Sequence, residues 1–367
     1  MAQVFLILGE RPSPIPRAGC VAMGPKRILT LPGADDDDAR QASVSQETWS
    51  LRPDGSMRHK MTDVRIDTQG AGQGSIGVSD MNPTDIEADM DATLGRGACG
   101  VVVAGVHKPT DTPVAVKVVR IEDKKKREQL VNDLQALMGI PPSDHLVKLH
   151  VAYVHVASRS VYLVLELMDF GSMSEITERL GHGVPVPEPM LAMMSIQMMQ
   201  GAAHLAAAHV LHRDIKPGNV LVSQQGFVKL ADFGISKNLS ATVGICDTFV
   251  GTTTYMSPER ATGQAYSLPS DVWSLALIFL ELATGRYPFP DLSSFAILVD
   301  QLCNRPEPRL DPAVHSPECC DFVEQSLQSE PNKRASAAQL VEHPFHKCQA
   351  SREEFVAWLA LLRPKDA

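Results

Sequence analysis

The sequence predicts an α+β fold of two lobes, a small strand-rich lobe followed by a larger helical lobe. Three short runs of β-forming residues come early, at 101–103, 114–119 and 161–165. One helical stretch, 124–138, lies among them, and after Gly171 the pattern is mainly helical, with its longest run at 190–208. Strands grouped first and helices second indicate two lobes that are joined near 166–171.

The first 88 residues show no sustained hydrophobic periodicity. They include four consecutive Asp at 35–38 and a stretch rich in Gly, Ser and Gln at 69–79. Such sequence buries too little apolar area to offset the entropy lost on ordering. We therefore expect a mostly disordered tail over 1–88, a folded domain over 89–345 and a C-terminal helix within 346–367.

Composition narrows the class of partner and the compartment. The 367 residues carry a net charge of −9, which argues against nucleic acid as the main partner because phosphate neutralisation needs clustered Lys and Arg. The seven Cys lack paired metal-ligand spacing, which suits a reducing compartment. The apolar run at 4–8 is too short for a signal peptide or a membrane span. We expect a soluble monomer without a membrane partner, located in the cytoplasm, with the nucleus as a second location.

Two sequence features suggest a site for phosphate groups. Gly95, Gly97 and Gly100 have G-x-G-x-x-G spacing, which lets a backbone approach phosphates closely. A dinucleotide-binding fold uses the same spacing, but here a second short strand follows instead of a helix. Lys117 ends an apolar run, where a charge is costly to bury without an anionic partner. A Lys at the surface of an edge strand is the alternative interpretation.

The segment at 212–219, His-Arg-Asp-Ile-Lys-Pro-Gly-Asn, carries the strongest chemical pattern. Asp214 can accept or orient the proton of an attacking hydroxyl, Lys216 can neutralise a moving phosphoryl group, and Asn219 can hold a metal ion. Asp232, in Asp-Phe-Gly, offers a second metal ligand. Phosphoryl transfer depends mainly on positioning and charge stabilisation, and this set of side chains fits it. The alternative is a polar turn between a helix and a hairpin.

With these motifs in order, the region 89–345 resembles the eukaryotic protein kinase domain. The resemblance implies ATP and Mg²⁺ as cofactors, with Lys117 on the α- and β-phosphates and Asn219 and Asp232 on the metal. It also implies that Leu165 is the gatekeeper, that Glu259 pairs with Arg334, and that Asp271 braces the catalytic loop. The implied ATP-binding residues are Leu94, Gly95, Gly97, Gly100, Val102, Ala115, Lys117, Asp133, Leu165, Glu166, Met168, Leu221 and Asp232.

The activation segment resembles that of MAP kinase kinases. Thr248 begins Thr-Phe-Val-Gly-Thr, and the segment ends in Ser-Pro-Glu at 257–259. Thr242 precedes Thr248 by six positions, a spacing that resembles plant-type members of this family. Phosphates on these two residues are expected to pair with Arg213 and to order the segment. An ordinary loop Thr is the alternative interpretation for Thr242.

Two segments outside the domain resemble docking sites of that family. Lys26 and Arg27 followed by Leu29 and Leu31 resemble the motif that grips a downstream MAP kinase, by a charge contact plus two apolar anchors. Phe355 and Trp358 lie on one face of the predicted C-terminal helix. That helix resembles the site at which an upstream MAP kinase kinase kinase docks. The alternative is a helix that only packs on the large lobe.

One position departs from the family. The small-lobe helix should supply a Glu to pair with Lys117, but Asp133 stands there, one methylene shorter. The sequence therefore predicts a MAP kinase kinase that phosphorylates Thr and Tyr of a MAP kinase, switched on at Thr248 and Thr242. The alternatives are another Ser/Thr kinase of the same broad group and a weakly active nucleotide-binding scaffold, for which Asp133 is the only support.

Overall fold

The computed structural model describes residues 49–51, 56–59, 64–73, 76–78, 80–97, 100–120, 130, 134, 138–232 and 254–363. Seven of the predicted site residues lie outside these ranges: Lys26, Arg27, Leu29, Leu31, Asp133, Thr242 and Thr248. The docking motif at 26–31 and the two candidate phosphorylation sites therefore stay predictions.

The first described element is a five-stranded antiparallel sheet, here called the N-terminal sheet, which precedes the glycine-rich segment in the sequence. Its strands are β1 (Trp49–Leu51), β2 (Met57–His59), β3 (Val64–Asp67), β4 (Gly70–Gln73) and β5 (Ile76–Val78). Met57, Val64, Ile66 and Ala71 are buried. Within the tail predicted to be mostly disordered, the described residues 49–51, 57–59, 64–67, 70–73 and 76–78 thus form strands that were not predicted. Alternating apolar residues in β3 place Val64 and Ile66 on one face, and that face is buried against the small lobe.

The small lobe is built on a second five-stranded antiparallel sheet. Its strands, which take the spatial order β6-β7-β8-β10-β9, are β6 (Ile86–Gly97), β7 (Gly100–His107), β8 (Thr112–Arg120), β9 (Leu149–His155) and β10 (Ser160–Glu166). One face packs with the N-terminal sheet and with the helical residues Leu130 and Leu134. The three predicted β-type runs fall in β7, β8 and β10.

The large lobe begins with β11 (Gly171–Ser172), which joins a three-stranded sheet with β12 (Val220–Val222) and β13 (Val228–Leu230). Among the described residues, its helices are α1 (Met173–Leu180), α2 (Glu188–Ala207), α3 (Pro258–Ala261), α4 (Leu268–Thr284), α5 (Phe295–Asn304), α6 (Pro317–Ser326), α7 (Ala337–Val341) and α8 (Arg352–Leu361). Helices α2 and α4 run through one large apolar core. The predicted α+β fold with a strand-rich lobe and a helical lobe is confirmed.

Local sequence explains where several of these helices begin. Ser172 caps α1, and its capping box with Glu175 satisfies amide groups at the helix start. Ser351 and Glu354 form the same box at the start of α8. Helix α4 ends at Gly285, whose positive φ of 68° suits glycine. None of the helices that the structure describes is both long enough and apolar enough to cross a membrane.

Candidate active site

A cavity of about 560 Å³ lies where the two lobes meet. Ten of the predicted ATP-binding residues line it: Leu94, Gly95, Val102, Ala115, Lys117, Leu165, Glu166, Met168, Leu221 and Asp232. Most of its wall is apolar, and Lys117 and Asp232 are among the charged residues that line it. This combination of an apolar slot and few polar groups is typical of a small-molecule site.

The glycine-rich hairpin forms the small-lobe rim of this cavity. Gly97 pairs with Gly100 where β6 turns into β7. A Cβ atom at Gly100 would lie 2.1 Å from the carbonyl oxygen of Val118, so only glycine lets β7 approach β8 there. At Gly95, which lines the cavity, an added Cβ would meet nothing within 4 Å. Gly100 is therefore required by strand packing, whereas Gly95 leaves space on the ligand side.

Lys117 lies on β8 in the middle of the small-lobe sheet, opposite Val102 on β7 and Leu163 on β10. This position rules out the edge-strand interpretation. Its ammonium nitrogen is 2.7 Å from Oδ1 of Asp232, and its side chain is only 12% exposed. The anionic partner that its burial required is thus a carboxylate at the other side of the cavity.

The catalytic segment brings Asp214, Lys216 and Asn219 together, as the sequence predicts. Oδ2 of Asp214 accepts hydrogen bonds from the Lys216 ammonium at 2.9 Å and from the Asn219 amide at 3.1 Å. The same Asn219 amide nitrogen donates to the Asp214 backbone carbonyl at 2.7 Å. These contacts orient the Asp214 carboxylate within the catalytic segment.

Asp271 of α4 holds this segment from below. Its carboxylate accepts the backbone N–H groups of His212 at 2.9 Å and Arg213 at 3.1 Å, and it also accepts the Tyr266 hydroxyl. Arg213 has a φ of 68°, a left-handed conformation that costs free energy in a non-glycine residue. The backbone bonds to Asp271 offset that cost and keep Asp214 in place.

His212 does not act as a base in this arrangement. Its side chain is fully buried, and burial lowers the pKa of its imidazole. A neutral ring packed in the core can support the neighbouring backbone but cannot reach a ligand in the cavity.

A divalent metal ion would be held by Asn219 and Asp232, both of which line the cavity. The Asn219 amide nitrogen is turned toward Asp214, which leaves its carbonyl oxygen as the metal-facing group. One carboxylate and one amide oxygen are ligands that Mg²⁺ accepts, with phosphate oxygens and water completing its shell. The residues present therefore fit the ion that the sequence implies.

The link between the lobes has a brace that the sequence did not reveal. Lys229 of β13 donates to both carboxylate oxygens of Glu166, at 2.7 and 2.9 Å. The Glu166 backbone N–H also donates to the Lys148 carbonyl at 2.9 Å. Lys229 is buried, so this ion pair fixes the side chain of Glu166, a residue that lines the cavity. Lys229 is remote from Glu166 in the sequence, so no local sequence pattern predicted this ion pair.

Three further charged residues line the cavity and were not predicted from the sequence: Asp169, Glu175 and Arg179. Glu175 belongs to the capping box of α1, and Arg179 lies one turn later on the same helix. The Ser-x-x-Glu pattern at 172–175 was the available sequence indication, because it places a helix start beside the link between the lobes.

The end of the activation segment is anchored by a buried ion pair. Nη1 of Arg334 is 3.0 Å from Oε1 of Glu259, and the Ser270 hydroxyl donates to the same oxygen at 2.7 Å. Burial opposes ionisation of Glu259, but Arg334 and Ser270 outweigh it and hold the pKa of this carboxyl below its usual value. The pair thus ties α3 to the far end of the large lobe, the partnership that the kinase resemblance implies.

The two predicted docking residues on α8 pack against the core of the large lobe. Phe355 is fully buried, and Trp358 is partly buried and stacks on it with ring centroids 5.9 Å apart. The packing interpretation of this helix therefore holds. A role in docking stays a prediction, and Phe355 could contact a partner only if the helix moved.

Comparison with known proteins agrees with this geometry. The family model of the protein kinase domain matches residues 89–346. Mitogen-activated protein kinase kinase 3 of Arabidopsis thaliana is 38% identical over 71% of this chain, which spans about half (49%) of that protein. Mitogen-activated protein kinase kinase 2 of the same plant is 35% identical over 86% of this chain and 88% of its own length. Mitogen-activated protein kinase kinase 1c of Physcomitrium patens is 36% identical over 87% and 89%.

The matched region contains all the described catalytic residues, and the similarity to two of these relatives extends over most of both chains. The protein is a protein kinase and belongs to the MAP kinase kinase family.

Proposed function

We propose that this kinase has dual specificity and transfers the γ-phosphate of ATP to Thr and Tyr in the activation loop of a MAP kinase. The observation that carries the proposal is the Asp214, Lys216 and Asn219 cluster, next to a cavity that also holds the Lys117–Asp232 pair. Its relatives are named as mitogen-activated protein kinase kinases, which supports the choice of a MAP kinase as substrate.

In the proposed reaction, the adenine of ATP lies between apolar residues such as Val102, Ala115 and Leu221, with the phosphates toward Lys117. The substrate hydroxyl oxygen forms a bond to the γ-phosphorus while the bond to the bridging oxygen of ADP breaks. Asp214 accepts the hydroxyl proton, and Lys216 balances negative charge on the moving group. A bound Mg²⁺ ion would neutralise charge on the phosphates.

Activation is proposed to follow phosphorylation of Thr248 and Thr242. Arg213 is the candidate partner that the kinase resemblance implies for such phosphates, and Asp271 holds its backbone N–H group. Its backbone carbonyl accepts a hydrogen bond from Arg260 at 3.1 Å, which places a second guanidinium in the same region. Two Arg side chains near the segment suit recognition of a phosphate.

The partners are proposed from the family. A MAP kinase kinase kinase would be the activator, a MAP kinase would be the substrate, and 26–31 would be the docking motif for that substrate. The protein is proposed to act as a monomer in the cytoplasm, with the nucleus as a second location.

The decisive experiment is phosphate transfer to a catalytically inactive MAP kinase that carries Thr-x-Tyr. The enzyme would carry Thr242→Asp and Thr248→Glu, and mass spectrometry would locate the product phosphates. We expect phosphate on both Thr and Tyr. Phosphorylation of generic substrates without phospho-Tyr on the MAP kinase would favour a Ser/Thr kinase outside this tier. ATP binding without transfer to any substrate would favour the nucleotide-binding scaffold, the alternative that Asp133 in place of Glu supports.

The role of Asp214 is tested in the same assay. Asp214→Ala is expected to lower turnover by about 10²–10⁴-fold because the proton acceptor is lost, while nucleotide binding remains. Asp300→Asn, which changes an exposed carboxylate on α5, is the matched control and should be active. Turnover of the Asp214 variant equal to that of the control would contradict the assigned mechanism.

A further inference from the structure

A cluster of mixed metal-binding side chains lies in the large lobe, away from the ATP cavity. Glu188 is the first residue of α2, and His315 and Cys319 lie at the start of α6. One potential ligand atom from each residue lies within 4.8 Å of the others. Glu188 lies more than a hundred positions before His315 and Cys319, which share one short segment, so the fold brings the two segments together.

The geometry of this cluster is tightly defined. Nδ1 of His315 is 3.5 Å from Oε1 of Glu188. Ser316 fixes the carboxylate by donating its backbone N–H at 2.9 Å and its hydroxyl at 2.6 Å. Cys319 is fully buried, whereas the side chains of His315 and Glu188 are 11% and 26% exposed. An ion can therefore reach the buried Cys319 thiol from the partly exposed side of the cluster, which His315 and Glu188 line.

The donor chemistry suits zinc. Zn²⁺ binds Cys sulfur, His nitrogen and carboxylate oxygen, usually four ligands in a tetrahedral arrangement. Glu188 and Cys319 both lie in the first turn of a helix. Zn²⁺ would bind the Cys319 side chain as a thiolate and release its proton. One thiolate and one carboxylate would also balance the charge of the ion.

Three protein ligands leave the fourth position of a tetrahedral Zn²⁺ ion to water or to a further cysteine such as Cys348. Cys348 ends the 3₁₀ helix Pro344–Cys348, immediately before α8, and its Sγ is 3.0 Å from the carbonyl oxygen of Phe345.

We propose that Glu188, His315 and Cys319 form a structural zinc site, with Cys348 or water as the fourth ligand. The bound ion would join the start of α2 to the start of α6. With Cys348 as the ligand, it would also join the segment that leads into α8. The alternative is that Glu188 only braces Ser316 at the start of α6, in which case no metal binds.

The test uses Co²⁺ as a spectroscopic substitute, titrated into the full-length, reduced and chelator-treated protein without nucleotide. We expect one Co²⁺ per chain with a thiolate-to-cobalt charge-transfer band and tetrahedral d–d bands, both abolished by one equivalent of Zn²⁺. Zn²⁺ should also raise the unfolding temperature, because it binds the folded state. Absence of the charge-transfer band in the wild-type protein would overturn the proposal without reference to any variant.

Three variants assign the ligands. Cys319→Ser, which is nearly isosteric, should remove the band, and His315→Gln should weaken Co²⁺ binding by at least about tenfold. Cys303→Ser, at an exposed thiol on α5, is the matched control and should retain the band. An unchanged band in the Cys319 variant would also overturn the site. Loss of the band in Cys348→Ser would identify the fourth ligand as sulfur, and retention would identify it as water.

Discussion

Two segments extend the kinase domain at its opposite ends, and they are attached in different ways. In the N-terminal sheet, β1–β5, four side chains among those whose burial the structure describes are buried against the small lobe, together with Leu130 and Leu134. The C-terminal helix, α8, contributes Phe355 and Leu359 to the core of the large lobe. The sheet therefore joins a small separate cluster, while the helix is continuous with the largest apolar core of the described structure.

Polar contacts show the same difference. The N-terminal sheet is followed by Asp80, which bonds Lys148 at 2.5 Å and His150 at 3.3 Å at the exposed edge of β9. The C-terminal helix covers the hairpin between β12 and β13, where Arg352 stacks on Phe227 at 4.0 Å. Because that hairpin directly follows Asn219, the helix supports the catalytic segment from behind. The sheet instead supports the helical residues next to Asp133.

Each extension therefore acts on one half of the active site. The C-terminal helix should be needed for folding of the large lobe. The N-terminal sheet should be separable from the folded domain, with its main effect on the position of the small-lobe helix. Substitutions in each extension, and the pH dependence of stability, should distinguish the folding role of the helix from the positioning role of the sheet.

The largest effect is expected for Phe355→Ala. The substitution leaves a cavity in the main core and should lower the free energy of unfolding by about 3–5 kcal/mol, measured by denaturant titration. Leu361→Ala is the control on the same helix, since Leu361 is 81% exposed, and it should change stability by less than about 0.5 kcal/mol. Equal losses for both variants would show that α8 is not anchored through Phe355.

A smaller global effect is expected for Ile66→Ala in β3. The side chain is fully buried, so the local loss is about 2–4 kcal/mol, but the sheet can detach before the domain unfolds. We expect faster limited proteolysis within 49–78 and a lower rate of phosphate transfer. Arg65→Ala, at an exposed neighbour in the same strand, is the control. Unchanged proteolysis and activity would remove the supporting role of the sheet.

The smallest expected effect is on the pH dependence of stability, and it involves only the region next to the C-terminal helix. Burial lowers the pKa of His346 to about 4, and its ring contacts Ser195 and Val341. The unfolded state binds this proton more readily, so the contribution of neutral His346 is complete above its usual pKa and is lost as pH falls toward 4.

From about pH 7.5 to about pH 5.5 this one group should remove about 1.3 kcal/mol of stability. His346→Gln should reduce the slope of stability against pH in that range, measured by denaturant titration at each pH. A variant with the wild-type slope would assign the pH dependence to other groups. The N-terminal sheet should show no matching dependence, because its four described buried side chains do not titrate.

The two extensions also show what sequence reasoning can reach. Phe355, Trp358 and Leu359 repeat with helical spacing, and α8 was predicted because a helix is encoded locally. The N-terminal sheet was missed because strands of three or four residues carry little periodicity, and their burial depends on a distant face.

The candidate site was largely predictable for a related reason. The sequence between His212 and Asn219 places three functional side chains in one short segment, and the structure brings them within 3.1 Å. The Glu166–Lys229 pair and the Glu188–His315–Cys319 cluster were not predictable from local sequence. Their members become neighbours only after the chain has folded, and no spacing rule connects them.

The Glu259–Arg334 pair has a consequence for the chemistry of switching. Asp232 is tied to Lys117 at one end of the activation segment, and Glu259 is tied to the large lobe near the other. A chain segment with both ends held has already lost much of its loop-closure entropy. The phosphate proposed on Thr242 or Thr248 would therefore act on a segment whose two flanks, at Asp232 and Glu259, are already held. One or two charge-assisted hydrogen bonds, each worth about 1.5–3 kcal/mol, are enough to shift an equilibrium between two arrangements by more than tenfold.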